Sequence, residues 1–191
     1  MKQLRSLSPF PRSLSLVLLL ATASNGHGYE DGAPPGHTGG FGEPDCSLCH
    51  SASDKNPPDG TLEISGLPDR YLPGKRYDLA VVLKYPELRS GGFQLSIRSA
   101  EGESAGEVVP LTGRTRVIAA GGQDYLQHSR DGREPEKEGI IRWIFEWIAP
   151  RDAEHPIVHL HVAANAANDD SSALGDRIFT LERELRAKAN D

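Results

Sequence analysis

Sulfur is scarce in this chain. Among its 191 residues there are two cysteines, Cys46 and Cys49, and a single methionine, Met1. Two cysteines exclude the disulfide framework of a small secreted scaffold and a zinc centre with four thiolates. Long apolar runs are also lacking, because no stretch after the N-terminus approaches the roughly eighteen apolar residues that a membrane helix needs. The length favours one domain with a core of its own.

The first 23 residues have the pattern of a secretory signal peptide. Lys2, Arg5 and Arg12 form a basic start, 14–20 is apolar, and 21–23 is a small-residue cleavage site. We therefore expect a periplasmic or secreted protein without a membrane span. Removal of the signal leaves 18 Lys and Arg against 27 Asp and Glu, a charge of −9. Such a charge disfavours nucleic acid as a partner and suits a soluble exported protein.

Both cysteines belong to the segment Cys46-Ser47-Leu48-Cys49-His50, which has the pattern at which haem c is attached. Two thiols at this spacing can each bond one haem vinyl group, and the histidine that follows can bind the iron. The segment predicts one covalent haem c, with Cys46 and Cys49 as thioethers and His50 as the proximal iron ligand. A Cys46–Cys49 disulfide is the alternative that suits an exported chain. A thioredoxin-like role lacks its βαβ context, and zinc lacks ligands.

The loss of Met1 with the signal peptide removes methionine as a second axial ligand of the iron. A haem without methionine is expected to have a lower reduction potential than a His/Met haem. Our first candidate for the distal ligand is His128, which ends a predicted strand before the polar loop 130–139, and our second is His37. The other candidate histidines are His27, His155, His159 and His161. A lysine, a terminal amine, an amide, water or an empty position are the remaining alternatives.

The chain changes character near residue 60. Residues 24–60 are rich in Gly, Pro, Asp and Ser without apolar periodicity, and they predict an irregular arm that carries the haem segment. We expect this arm to pack on the following domain with the haem between them, because a haem left in water would expose a large apolar surface. Residues 61–181 contain short β-rich runs separated by turn residues, which predict an all-β sandwich. The tail 182–191 is polar and weakly helical in pattern. The expected strands are 61–65, 77–84, 92–98, 115–119, 125–129, 140–148, 157–163 and 177–181.

Alternation within the strands indicates which side chains face the core. In 140–148, four large apolar residues share one face, namely Ile141, Trp143, Phe145 and Trp147. His159 and His161 share a face of 157–163, where two imidazoles at this spacing either lie on the solvated side of the sheet or bind a metal or the haem iron. The loop 165–176 is rich in Asn and Asp, which favours either Asx turns or a calcium site.

Several motifs occur in an order that resembles a known family. They are Gly36-His37-Thr38-Gly39-Gly40-Phe41-Gly42-Glu43, the cysteine segment, Tyr71-Leu72-Pro73-Gly74, Gly91-Gly92-Phe93-Gln94-Leu95, Tyr125-Leu126-Gln127-His128, Trp143-Ile144-Phe145-Glu146-Trp147-Ile148-Ala149-Pro150 and Ala164-Asn165-Ala166-Ala167-Asn168-Asp169. Over residues 32–181 the chain resembles the choice-of-anchor V domain proteins, which are exported by bacteria. The resemblance implies a Reeler-like (reelin N-terminal-like) β-sandwich preceded by a haem-bearing segment.

The same resemblance supports His128, which matches a histidine that recurs after the tyrosine in the family motif. It does not extend to His159 and His161, because the family tends to have a threonine and an aromatic residue in that strand. Family members often end in a surface anchor, whereas this sequence ends in Ala187-Lys188-Ala189-Asn190-Asp191. We therefore expect a protein free of the membrane and the cell surface.

These patterns predict a monohaem c-type cytochrome that carries single electrons to or from an unidentified periplasmic or extracellular redox partner. No nucleophile, base or oxyanion motif is present, so we do not expect an enzyme. Two alternatives remain open. One is a haem-based sensor with an open or weakly held sixth position. The other is a Reeler-like adhesion or interaction module with a structural haem or a disulfide.

Overall fold

The computed structural model describes residues 29–50, 54–151, 156–170 and 172–188. The predicted signal peptide and two histidines, His27 and His155, lie outside these residues. Two short 3-10 turns cover Cys46–Leu48 and Arg130–Arg133. Within the described residues there are ten strands: β1 (Thr61–Ser65), β2 (Arg70–Tyr71), β3 (Arg76–Lys84), β4 (Ser90–Ser99), β5 (Glu107–Pro110), β6 (Thr115–Ala120), β7 (Gln123–His128), β8 (Ile140–Ile148), β9 (Ile157–Ala167) and β10 (Arg177–Ala187).

The strands form two sheets that enclose one apolar core. Four strands pair in the order β1-β3-β8-β5 and six pair in the order β2-β10-β9-β4-β7-β6. The all-β sandwich predicted from the sequence is confirmed, and each of the eight expected strands is present. Two further strands, β2 and β5, have only two and four residues, which is too short for alternation to reveal them.

The C-terminal strand corrects the prediction of a weakly helical polar tail from residue 182. β10 runs to Ala187, and Glu182, Arg183 and Glu184 pair with residues 159–161 of β9. Their charged side chains do not predict a strand from the sequence. The strand forms because pairing with β9 overrides the weak local preference of these residues. The sandwich therefore extends six residues past its predicted end at 181.

The core faces of the strands agree with the predicted alternation. Ile141, Trp143, Phe145 and Trp147 of β8 have no exposed surface. Each indole N–H finds a backbone acceptor, Gly132 O at 2.7 Å for Trp143 and Ala105 O at 3.0 Å for Trp147. Buried indoles need such a partner. Both tryptophans are thus part of the sandwich core.

The arm, residues 24–60, packs where it is described on the outer face of the six-stranded sheet, the side turned away from the core. Gly40 shows how close this approach is, because a Cβ atom there would lie 2.1 Å from Cγ of His161 in β9. Farther along the arm, Asn56 Oδ1 accepts a hydrogen bond from the Thr180 amide of β10 at 2.9 Å. These contacts agree with the expectation that the arm lies against the sandwich, while a haem between the two stays a prediction. In the described part of the chain, no helix is long and apolar enough to cross a membrane.

Candidate functional site

The segment with the two cysteines is shaped by its own local hydrogen bonds. Asp45 caps the 3-10 turn, since its Oδ1 accepts from the Ser47 amide at 2.8 Å, and its Oδ2 accepts from Lys55 Nζ at 2.7 Å. The His50 amide donates to Cys46 O at 3.0 Å. One turn of chain therefore holds Cys46, Cys49 and His50 together, and the capping carboxylate links it to the rest of the arm.

Both cysteines are free thiols, Cys46 half-buried and Cys49 exposed. Burial, together with the Asp45 carboxylate, raises the pKa of the Cys46 thiol to about 12. Cysteines that exchange disulfides or attack substrates sit in electropositive surroundings that lower the pKa instead. The environment of Cys46 therefore disfavours a thiol redox centre.

His50 is held by a carboxylate from the far end of the chain. Its Nδ1 lies 2.6 Å from Oδ2 of Asp176, and the Asp176 side chain is only 1% exposed. Asn165 Nδ2 donates to the same Asp176 oxygen at 2.8 Å and lies 3.1 Å from His50 Nδ1. Among the described residues His50 Nε2 has no hydrogen-bond partner. A metal-binding histidine characteristically donates its other ring N–H to a carboxylate or carbonyl in this way.

His128, the first candidate for the distal ligand, is buried at the end of β7. Its Nδ1 lies 3.1 Å from the Phe93 amide nitrogen and 3.3 Å from the Phe93 carbonyl oxygen, and its ring also hydrogen-bonds the Tyr29 backbone. Burial lowers the pKa of His128, which favours the neutral ring. The imidazole fills the space that a side chain on Gly92 would need. His128 therefore also ties the start of the arm to β4 and β7.

His37, the second candidate, lies in the arm itself and is half-buried. Its backbone amide donates to Gln94 Oε1 at 2.6 Å, and its Nδ1 lies 2.9 Å from the carbonyl oxygen of Pro34. The Gln94 amide donates to Pro34 O at 3.0 Å and to Gln127 Oε1 at 2.9 Å. The backbone beside His37 is thus held against the sheet. In the described part of the chain, its Nε2 has no hydrogen-bond partner.

His159 and His161 lie on the outer face, as alternation predicts, but the arm covers them. The Phe41 ring packs edge-on against both imidazoles, with centroids 6.1 and 5.1 Å away. Glu182 Oε1 lies 3.5 Å from His159 Nδ1 and 3.6 Å from His161 Nε2. Burial lowers the pKa of His161. Both imidazoles are therefore on the outer face but only partly exposed, at 21% for His159 and 12% for His161, because Phe41 packs against them. Metal binding by the pair stays a prediction.

The Asn- and Asp-rich loop divides into two parts. Asn168 Oδ1 accepts from the Asp170 amide at 3.1 Å, and Asp170 Oδ1 accepts from the Ser172 amide at 2.8 Å. These are Asx turns. Asn165 and Asp176, at the two ends of the loop, face His50 instead. Among the described residues no group of three or more His, Cys, Asp or Glu side chains is arranged to hold a metal ion.

A buried ion pair fastens the arm, and sequence reasoning missed it. Arg98 of β4 donates to Glu43 Oε1, and their side chains are 6% and 15% exposed. Tyr125 Oη donates to the same carboxylate at 2.7 Å and Thr38 Oγ1 at 2.5 Å. Burial opposes ionisation of Glu43, but the hydrogen bonds from Thr38, Tyr125 and Arg98 hold its pKa below the usual value. Phe41 stacks on Arg98 at 5.2 Å.

Comparisons with known proteins identify the fold. A scan with protein-family models finds no match, and neither does a search of curated protein sequences. The Reelin-N domain of F-spondin is similar in structure, with a TM-score of 0.52 and 19% identity over 75% of this chain and 96% of that chain. The human F-spondin reeler domain has a TM-score of 0.48 and 20% identity over 71% and 93%. This likeness shows a Reeler-like all-β sandwich, and at such identity it shows the fold alone.

Proposed function

We propose that this protein is an exported monohaem c-type cytochrome that carries single electrons. The observation that carries the proposal is the environment of His50. Its Nδ1 is held by a buried carboxylate, its Nε2 has no hydrogen-bond partner among the residues that the structure describes, and two free thiols stand on the same turn. A disulfide pair would need no such histidine, because it has no metal to orient.

The residues around the segment suit a haem. Cys46 and Cys49 would form the thioethers, and His50 Nε2 would bind the iron. Leu48 and Leu174 are 66% and 65% exposed; Leu48 lies between the cysteines and Leu174 just before Asp176. Leu48 thus offers apolar surface directly beside both thiols. When bound, the haem supplies the one-electron chemistry, while the protein orients its ligand and restricts access of water.

The contacts of the two distal candidates favour His37 over His128. To bind iron, His128 would have to release Phe93 or Tyr29, and freeing buried polar groups is costly. His37 has its Nδ1 on Pro34 O and its Nε2 unpartnered within the described residues, which is the same arrangement as at His50. We therefore propose that the arm supplies both axial ligands, His50 and His37, and that His128 holds the arm in place.

The finer family assignment belongs to the same proposal. The order of motifs over residues 32–181 is similar to that of choice-of-anchor V domain proteins, and the Reeler-like fold agrees with what that resemblance implies. The redox partner would lie in the periplasm or outside the cell. A charge of −9 without the signal peptide would steer the protein toward a basic partner surface.

The proposal is tested by producing the full chain, with its own signal peptide, in a bacterium that matures c-type haem. The purified protein should retain one haem after denaturation and give a haem c pyridine haemochrome spectrum. The double variant Cys46→Ala/Cys49→Ala should carry no covalent haem. Ser47→Ala, which leaves both thiols and His50 intact, should load normally. A wild-type protein without covalent haem would overturn the proposal.

A Reeler-like interaction module is the second candidate, and the fold similarity favours it. Wild-type protein with a Cys46–Cys49 disulfide and no haem would support that function. A haem-based sensor is distinguished by carbon monoxide, because an open sixth position binds the gas without loss of a protein ligand. For an electron carrier with two axial histidines we expect a low-spin spectrum that carbon monoxide does not change.

A further inference from the structure

Asp176 is a buried carboxylate whose principal partner is 126 residues away in sequence. It lies directly before β10, and its Oδ2 is shared by His50 Nδ1 and the Asn165 amide. Asn165 belongs to β9, so two strands of the rigid sheet fix the position of the carboxylate. The arm contributes only the imidazole. The orientation of His50 is therefore set by the sandwich.

A purely structural contact between Asp176 and His50 would be expected to satisfy every buried polar atom around it, and this site does not. Asp176 Oδ1 and Asn165 Oδ1 are buried, and neither has a hydrogen-bond partner in the part of the chain that the structure describes. A buried charge is stabilised when all its acceptor sites are used, and leaving one unused is costly. Each unsatisfied buried polar group needs an explanation, and a role in redox chemistry is one such explanation.

We infer that Asp176, positioned by Asn165, is the positioning residue for the proximal histidine and sets the reduction potential of the haem. This inference rests on the proposed function. The carboxylate keeps the His50 proton on Nδ1, which directs the Nε2 lone pair toward the iron. Its negative charge increases electron donation from the imidazole and stabilises the ferric state over the ferrous state. The reduction potential is thereby lowered beyond the effect of the missing methionine.

The competing explanation is that Asp176 only docks the arm. Docking and tuning have different consequences. Loss of a docking contact lowers the free energy of unfolding without a specific effect on the iron. Loss of the carboxylate charge beside an iron ligand shifts the balance between oxidised and reduced haem, even where the fold is unchanged.

The test compares two variants of the haem-loaded full chain by redox titration. Asp176→Asn keeps the size of the side chain and an acceptor oxygen but removes the charge. Asp170→Asn makes the same charge change in the same loop, at an exposed residue whose hydrogen bonds within the described residues are to Asn168 and Ser172. At a fixed ambient potential we expect Asp176→Asn to raise the ratio of reduced to oxidised haem at least tenfold, a shift of about 59 mV for one electron.

Asp170→Asn should change that ratio much less, because its charge is exposed and screened. If the two variants shift the potential equally while both remain folded, the inference is wrong and Asp176 is a docking residue. The proposed function would still stand in that case, because it depends on covalent haem in the wild type. Wild-type protein without haem would remove the basis of both.

A second measurement needs no variant, should Asp176→Asn fail to fold. The Nδ1–H proton of the proximal histidine can be followed by paramagnetic NMR of the wild-type protein. Because Asp176 is 1% exposed, we expect this proton to exchange slowly with solvent. Exchange as fast as that of an exposed imidazole would contradict the inference.

Discussion

The two faces of the six-stranded sheet are covered in different ways. The inner face meets the four-stranded sheet through Phe93, Leu95 and Leu160, all within the apolar core. The outer face meets the arm through polar side chains: Gln94 contacts His37, Arg98 contacts Glu43, and the imidazoles of His159 and His161 lie against Phe41. Apolar burial is non-directional, whereas hydrogen bonds and ion pairs demand one geometry. The inner face therefore holds the fold together, and the outer face determines where the segment with the two cysteines lies.

The largest effect is expected on the inner face. Phe145→Ala removes a side chain with no exposed surface, so the free energy of unfolding should fall by roughly 3–5 kcal/mol. Ile144→Ala, one residue away on the other side of β8 and 36% exposed, should cost roughly 1 kcal/mol or less. Urea denaturation measures both. Equal costs would contradict the assignment of the core face.

On the outer face, Glu43→Gln should weaken the docking of the arm. The change leaves Arg98 buried beside a neutral amide, and breaking a buried ion pair in this way costs roughly 3 kcal/mol. Glu63→Gln is the matched control, because the ion pair of Glu63 with Lys84 is exposed and should contribute about 1 kcal/mol or less. Limited proteolysis of the arm and thermal unfolding report the difference. An arm equally protected in both variants would show that the Arg98 pair is dispensable.

The two candidate distal ligands give a spectroscopic contrast. His37→Ala should convert a low-spin haem spectrum to a high-spin one, because the iron would lose the sixth ligand that we propose. His128→Ala should keep the low-spin spectrum but lower the free energy of unfolding by roughly 1–3 kcal/mol, since the buried hydrogen bonds to Phe93 and Tyr29 are lost. A high-spin spectrum for His128→Ala and a low-spin spectrum for His37→Ala would instead support His128 as the distal ligand.

The smallest effect is a pH dependence that originates on the outer face. The pKa of His128 is lowered from the usual 6.5 in the folded protein, so the unfolded chain takes up its proton first as pH falls. The free energy of unfolding should therefore decline from about pH 6.5 down to the folded pKa and then level off for this group. Denaturation at pH 7.5 and 5.5 measures the decline. His128→Gln should reduce it, and an unchanged slope would mean that other groups cause it.

Local sequence patterns predicted the features that depend on residues adjacent in the chain, such as strand bounds and core-facing side chains. β1 and β8 have the expected bounds, and the aromatic face of β8 is in the core. In the sequence, the glycines of the arm indicate only irregular chain, whereas in the folded protein Gly40 and Gly32 closely approach His161 and Gln127. The buried ion pair of Glu43 and Arg98 cannot be predicted from the sequence, because two charged residues far apart in the chain have the same pattern whether they are exposed or buried.

For the candidate site, the sequence by itself determined that two thiols and a histidine share one short turn, because their spacing along the chain requires only local geometry. The tertiary structure decided what surrounds His50. Asp176 and Asn165 reach it because β9 and β10 pair and the arm crosses their outer face, and such contacts depend on topology. Spacing along the chain cannot indicate them, since the pairing that brings residues 50, 165 and 176 together is a property of the whole sheet.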